Sequence, residues 1–298
     1  MKKARSITIL KANGQKDRFS VDKLANSLRR SGASEGEVSK ICYAIEEKLY
    51  PGMPTKKIYR LAFNLLKENS RHLAAKYHLK KGIMELGPSG YPFEKFVGEL
   101  LKHKNYKVKT SQIVQGKCVK HEVDVVAVRD KEMIMIECKY HNLPGTVCDV
   151  KIPLYIQARF KDIESVWKSV PAFANRNFFG WVVTNTRFST DAIQYGRCAG
   201  VQLLGWDYPN KGSLKDLIDN FCLYPLTCLT TLSKSEKQIL LDAGLVLCKD
   251  LLKEDPLNRL GLSPQRKQLI KSELEELTRF SGHDMEIPFE TLLCQGYQ

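Results

Sequence analysis

Apolar residues recur along this chain with helical spacing at both ends and with strand spacing in the middle. Residues 6–10 (SITIL) predict a short strand that enters a turn at Asn13 and Gly14. A helix follows over residues 22–30, and a second near 35–48 carries Val38, Ile41, Ile45 and Leu49 on one stripe. A third begins after Pro54 and Thr55 and runs through Ile58, Leu61, Ala62, Leu65 and Leu66. The stretch LGPSGYP, residues 86–92, is a Gly/Pro junction that stops one helix and starts the next. Beyond it Phe93, Val97, Leu100 and Leu101 predict another amphipathic helix. The middle of the chain then alternates strands with helices, which predicts an α/β domain on a central sheet. The last 86 residues read as all helical, with a capping box at Ser233 and Glu236 and an apolar stripe of Leu269, Leu274 and Leu277.

The candidate chemistry lies in residues 121–140, HEVDVVAVRDKEMIMIECKY. Val123 to Val128 make one strand and Met133 to Ile136 a second, with a polar turn between them. If Asp130 and Lys131 are a two-residue turn, Arg129 faces Glu132 and the register is fixed along the ladder. Asp124 then stands opposite Glu137, with roughly 5 Å between Cβ atoms. Lys139, two residues on, shares that face. Two carboxylates forced together repel and call for a counter-charge. A hard divalent cation such as Mg²⁺ supplies it through carboxylate and carbonyl oxygens, acidifies a bound water and steadies charge on a phosphate. With Lys139 holding water or phosphate, this is the chemistry of phosphodiester hydrolysis. An E-x-K triplet on a solvated edge strand would mean nothing; the register and the flanking apolar runs give this one its weight.

The chain of 298 residues has a formal net charge of +14, unevenly spread. Residues 1–90 hold +11, residues 91–212 hold +6 and residues 213–298 hold −3. A basic excess is the usual footprint of a polyanion partner. Nine cysteines form no C-x-x-C pair, which argues against a zinc ribbon, and Cys42, Cys138, Cys222 and Cys248 sit in apolar runs as small hydrophobes. A reducing cytoplasm is the expected setting. No apolar run approaches the ~18 residues of a membrane span, and Ile7 to Leu10 is too short for a signal peptide.

Asp124 with Glu137-Cys138-Lys139 resembles the D…(D/E)-x-K core of restriction-endonuclease-like nucleases, most closely the Mrr-like branch, over residues 88–209. Residues 90–101 (GYPFEKFVGELL) look like that family's first helix, residues 182–188 (VVTNTRF) like its later strand and loop, residues 192–199 like the next helix, and residues 201–206 like a last strand. The resemblance implies a Mg²⁺-dependent endodeoxyribonuclease. Asp124 and Glu137 would be metal ligands with the Cys138 carbonyl, and Lys139 the orienting cation. Glu94 would face the metal site, and Gln157 would assist from a helix over residues 155–160. Arg159 is read either as a phosphate contact or as part of a polar helix face. His141 is read as a loop hydrogen-bonder and left outside the catalytic set.

Residues 4–86 resemble the ATP-cone, a nucleotide-sensing module. The resemblance rests on Leu10-Lys11, Gly14, Phe19, Lys23-Leu24, Tyr59-Arg60 and residues 75–79 (AKYHL). It implies ATP or dATP as a regulatory ligand, with Lys11, Gly14, Lys23 and Arg60 at the site. The family's turn carries two basic residues before its glycine; here the second is Ala12. A basic helical module that binds only DNA is the alternative. No Walker A sequence is present, so P-loop turnover is excluded. Residues 233–252 resemble a helix-hairpin-helix element with only one of its usual two hairpin glycines, Gly244.

The expected architecture is α/β: a restriction-endonuclease-like mixed sheet flanked by helices, over residues 89–212. A mostly helical ATP-cone over 1–88 precedes it and a small all-α domain over 213–298 follows. The expected partners are DNA and a nucleotide, with no membrane, and a homodimer where both strands are cut. The competing reading is a nucleotide-responsive DNA-binding regulator whose nuclease core is inactive.

Overall fold

The computed structural model describes residues 7–11, 13–252 and 256–279; Ser6 and Ala12 lie outside them. Among the described residues two compact units form. Gly82 ends the first unit's N-terminal part and Ile83 opens the second.

In the first unit, β1 (Thr8–Leu10) pairs antiparallel with β2 (Lys16–Arg18) and parallel with β3 (Met53–Pro54). The two short strands beside β1 are additions to the single strand expected, since three-residue and two-residue strands leave too little alternation to read. Three helices follow the expected positions. The first, α1 (Val21–Arg30), starts at Ser20, whose hydroxyl accepts from the Lys23 N–H. The second, α2 (Glu35–Glu46), starts with a complete Ser34/Glu37 capping box. The third, α3 (Thr55–Asn69), ends at Ser70, which also caps α4 (Arg71–Tyr77). Leu28, Ile45, Met53, Ala62 and Leu66 are fully buried in the core these elements share. A short helix, α5 (Leu79–Met84), carries the chain out.

The second unit opens with α6 (Tyr91–His103) and a five-stranded mixed sheet. β4 (Lys107–Gln115), β5 (Lys120–Arg129) and β6 (Glu132–Lys139) form an antiparallel meander. After β7 (Val147–Cys148), helix α7 (Lys151–Trp167) returns the chain to β8 (Asn177–Thr184), which pairs parallel with β6. β9 (Arg187–Phe188) pairs parallel with β7, helix α8 (Thr190–Ala199) follows, and β10 (Gln202–Leu204) adds parallel to β8. The strand order is β10-β8-β6-β5-β4, which makes β6 central. Edge strand β4 alternates exposed and half-buried residues and carries Lys107 and Lys109 outward, a usual guard against edge pairing. The unit closes with α9 (Leu214–Asn220).

The last 86 residues divide between the units: Leu241–Leu247 belong with the sheet unit and Leu226–Leu240 with the first. Beyond α9 come α10 (Lys234–Asp242), begun by the expected Ser233/Glu236 capping contacts, and α11 (Pro264–Thr278). In the first unit Glu273 of α11 is buried and accepts hydrogen bonds from the Thr230 and Thr231 backbone and the Thr231 hydroxyl. Cys42, Cys138, Cys222 and Cys248 are buried free thiols, as their apolar settings predict. No described helix is long and apolar enough to cross a membrane.

Helix α7 is seated by Ile156, Phe160, Ile163 and Trp167, all buried against the sheet. Phe160 lies so close to β8 that a Cβ at Gly180 would stand 2.9 Å from its Cγ. Gly180→Ala is therefore expected to push α7 outward and cost about 1–3 kcal/mol of stability. Chemical denaturation checks this; an unchanged midpoint would mean that α7 is not held at this distance.

Candidate active site

The β5–β6 hairpin turns at Asp130 and Lys131, with Asp130 in the left-handed region at φ 47°, a conformation Asp tolerates better than most residues. Pairing runs from Arg129↔Glu132 to Val125↔Ile136. One step further along this register, Asp124 stands level with Glu137. There the backbone ladder gives way: the Asp124 carboxylate accepts the Cys138 N–H at 2.7 Å. On the other side the β4–β5 pairing is interrupted at the same level. Thr110↔Val125 and Gln112↔Val123 pair, while Ser111 between them adopts φ 51°. Asp124 thus sits at a gap in the sheet with its side chain turned to a backbone donor.

Glu94, in the first turn of α6, joins the pair. Its carboxyl is pushed up to about 7, first by burial and then by Asp124, Glu122 and Glu137. Burial also raises the Asp124 and Glu137 carboxyls, and Asp124 raises Glu137 further. Opposing this, the Cys138 N–H, Arg159 and Lys139 hold Asp124 down, and Arg159 and Lys139 do the same for Glu137. Glu122 was not among the expected residues, although it lies two positions before Asp124 on the same strand, a spacing that would have found it.

The end of β6 is anchored from several sides. The Tyr140 hydroxyl donates to the Met84 carbonyl at 2.6 Å and accepts the Gly87 N–H at 2.8 Å, which fixes the approach to α6 and so places Glu94. Thr184 donates to the Lys139 carbonyl at 2.7 Å. Buried Asn185 brackets His141, accepting its N–H at 2.9 Å and donating to its carbonyl at 2.8 Å. His141 Nε2 is buried with no hydrogen-bond partner, and burial holds the ring's pKa below its ordinary value. The polar run Thr184-Asn185-Thr186 at the end of an apolar strand was the sequence signal for this anchoring.

Helix α7 brings Arg159 and not Gln157 to the carboxylates. Arg159 Nη1 donates to Glu137 Oε2 at 2.8 Å and Nη2 to the Glu122 carbonyl. The Gln157 amide donates instead to the Ala199 carbonyl of α8 at 3.0 Å. Two residues along a helix is a turn of about 200°, so the two side chains leave α7 in opposed directions. Among the described residues no three His, Cys, Asp or Glu side chains form a ready-made metal cage.

A protein of Archaeoglobus fulgidus, described as uncharacterized, is 38% identical over 183 residues, which are 61% of this chain and 99% of that one. The chain belongs to the family of that protein. A solved member, AF1548, titled a protein of unknown function, matches with 37% identity and a TM-score of 0.52, over 63% of this chain and 98% of that one. Residues 224–278 match the family model of the AF1548-like C-terminal region, and residues 87–207 match the Mrr restriction endonuclease model. This AF1548-like chain thus carries a restriction-endonuclease-like domain that includes Glu94, Asp124, Glu137 and Lys139. The MspJI restriction endonuclease, solved with a 27-mer oligonucleotide, shares 14% identity over 49% of this chain and 31% of that one, at a TM-score of 0.32, too slight a likeness to carry an argument.

In the first unit of this AF1548-like chain a pocket of about 260 Å³ is lined by Lys11, Asp17, Arg18, Lys23, Tyr59 and Tyr77, among others. Lys11 pairs with Asp17 at 2.8 Å, and the Tyr59 and Tyr77 rings stack with centroids 5.2 Å apart. Arg60, expected beside Lys11 and Lys23, is exposed and off the pocket wall, because one helical step of about 100° separates it from Tyr59. Gly14 marks the β1–β2 turn at φ 81°, also off the wall.

The raised Glu94 carboxyl gives a signed prediction. Because its folded pKa of about 7 exceeds its ordinary 4.5, its stabilising contribution is full below about pH 4.5 and is lost as pH rises through about 7. Without divalent cations, Glu94→Gln is expected to melt higher than wild type near pH 8 and level with it near pH 5. Equal melting at both pH values would show that Glu94 does not feel its neighbours.

Proposed function

We propose that the sheet unit is a Mg²⁺-dependent endodeoxyribonuclease. The observation that carries this reading is the convergence of Glu94, Asp124 and Glu137 with Lys139 at one end of the β5–β6 hairpin. Their crowding fits a hard cation, which takes one or two carboxylates and leaves the rest of its shell to water and phosphate; a full protein cage is not needed. Asp124, Glu137 and the Cys138 carbonyl would hold it. When bound, such an ion makes a water acidic and steadies the charge on a phosphate. Lys139 holds the attacking water or the scissile phosphate at the same strand end. Glu94, titrating near 7, can take or return a proton at its carboxyl oxygens under neutral conditions. Gln157, whose amide donates to the Ala199 carbonyl, is not part of this proposed machinery. DNA as the substrate is supported by the restriction-endonuclease family match and by the net charge of +14. A chain with one such site would cut both strands as a pair of copies.

Cleavage of supercoiled plasmid tests this reading. Wild type is expected to nick it with Mg²⁺ and not with chelator. Asp124→Ala and Lys139→Ala should each lose at least about 10²–10³-fold in rate, with fold and DNA affinity kept. Full cleavage by Asp124→Ala would sink the assignment. DNA binding without cleavage on any form would favour the inactive regulator.

A second reading concerns the pocket of the first unit. Three cations, one of them paired with Asp17, and a stacked tyrosine pair around a space of about 260 Å³ suit a nucleoside triphosphate, in keeping with an ATP-cone. Binding of ATP or dATP would act by favouring one conformation over another. Calorimetric titration is expected to show Lys23→Ala weakening dATP by about 10-fold or more and Arg60→Ala leaving it unchanged. The reverse pattern would move the site elsewhere.

A further inference from the structure

Arg159 is built into the carboxylate cluster without being fully held there. Its side chain is 11% exposed and that of Glu137 20%, so their ion pair is shielded from water. Of the guanidinium's three nitrogens, Nη1 serves Glu137 and Nη2 the Glu122 carbonyl, while Nε is buried with no acceptor. A buried donor left unmatched calls for an explanation. One turn back on α7, Tyr155 is 60% exposed, and its ring centroid lies 5.4 Å from the Arg159 Cζ. The guanidinium thus already lies beside an aromatic face while it is paired with Glu137, a contact that does not depend on the carboxylate.

We infer that Arg159 is the site's internal counter-ion, displaced from Glu137 by an arriving divalent cation and delivered to a phosphate of the bound nucleic acid. The inference rests on the metal-site reading above and assigns a device that reading does not contain. A divalent cation at Glu137 competes with the guanidinium for the same carboxylate charge, and the two cations repel at short distance. Once freed from Glu137, the guanidinium keeps its place on α7 with the Glu122 carbonyl as its remaining acceptor, and its planar fork matches the non-bridging oxygens of a phosphodiester. Metal and nucleic acid then bind with positive coupling, because one releases the group that the other needs. Without metal, the same ion pair keeps the carboxylates from accumulating unbalanced charge.

The test uses the full chain and Ca²⁺ as the probe. Calorimetry without DNA is expected to show Arg159→Met binding Ca²⁺ about ten-fold more tightly than wild type, because the competing charge is gone. Fluorescence anisotropy with duplex DNA should show Ca²⁺ raising wild-type affinity and leaving that of Arg159→Met unchanged. As a readout independent of that variant's folding, the Arg159 Nε–H resonance of wild type, assigned with Arg159→Lys, should shift as Ca²⁺ saturates. Equal or weaker Ca²⁺ binding by a folded Arg159→Met, or an unmoved resonance, overturns the inference while the metal site stands. Failure of wild type to bind any Ca²⁺ overturns the metal-site reading and this inference with it.

Discussion

Repulsion among carboxylates at the end of one hairpin is the constraint around which the sheet unit is organised. Hydrophobic burial favours closing the strands on both faces, yet Glu94, Asp124 and Glu137 are brought together where burial raises all three carboxyls. A sheet optimised only for stability would place apolar residues there. Here the ladder is opened at Ser111 and Asp124, an N–H of β6 is given to a carboxylate, and an arginine is borrowed from α7 as counter-charge. Local departures from the sheet's own pairing are where functional sites are commonly found.

The surrounding scaffold serves this arrangement through backbone anchors. Tyr140 joins the end of β6 to the approach of α6, Asn185 brackets His141, and Thr184 takes the Lys139 carbonyl. These contacts determine where Glu94 and Lys139 stand, although none of the anchoring side chains carries charge. Gly180 does similar work for α7, whose close approach to β8 sets the position from which Arg159 reaches Glu137.

The sequence made the hairpin legible because strand alternation and a two-residue turn fix the register, and the observed pairs follow it from Arg129↔Glu132 to Val125↔Ile136. Helices were equally plain where apolar residues recur at helical spacing, as over 35–48, or where a cap precedes them, as at Ser233. What periodicity could not supply was azimuth around a helix. Gln157 and Arg159 differ by two positions, and only packing against β8 and α8 decides which meets the carboxylates. The same limit hid which of Tyr59 and Arg60 faces the pocket of the first unit. Division of the last 86 residues between two units was likewise hidden, because it depends on long-range contacts that leave no local pattern. Glu122, by contrast, lies two positions before Asp124 on the same strand, within reach of simple alternation.

The most direct test of the central claim is anomalous diffraction from crystals soaked in Mn²⁺. The account predicts one strong peak bonded to the Asp124 and Glu137 carboxylates and the Cys138 carbonyl, and no such peak in Asp124→Ala. A soaked crystal with no peak at the hairpin end, or with Mn²⁺ bound only elsewhere, would contradict it.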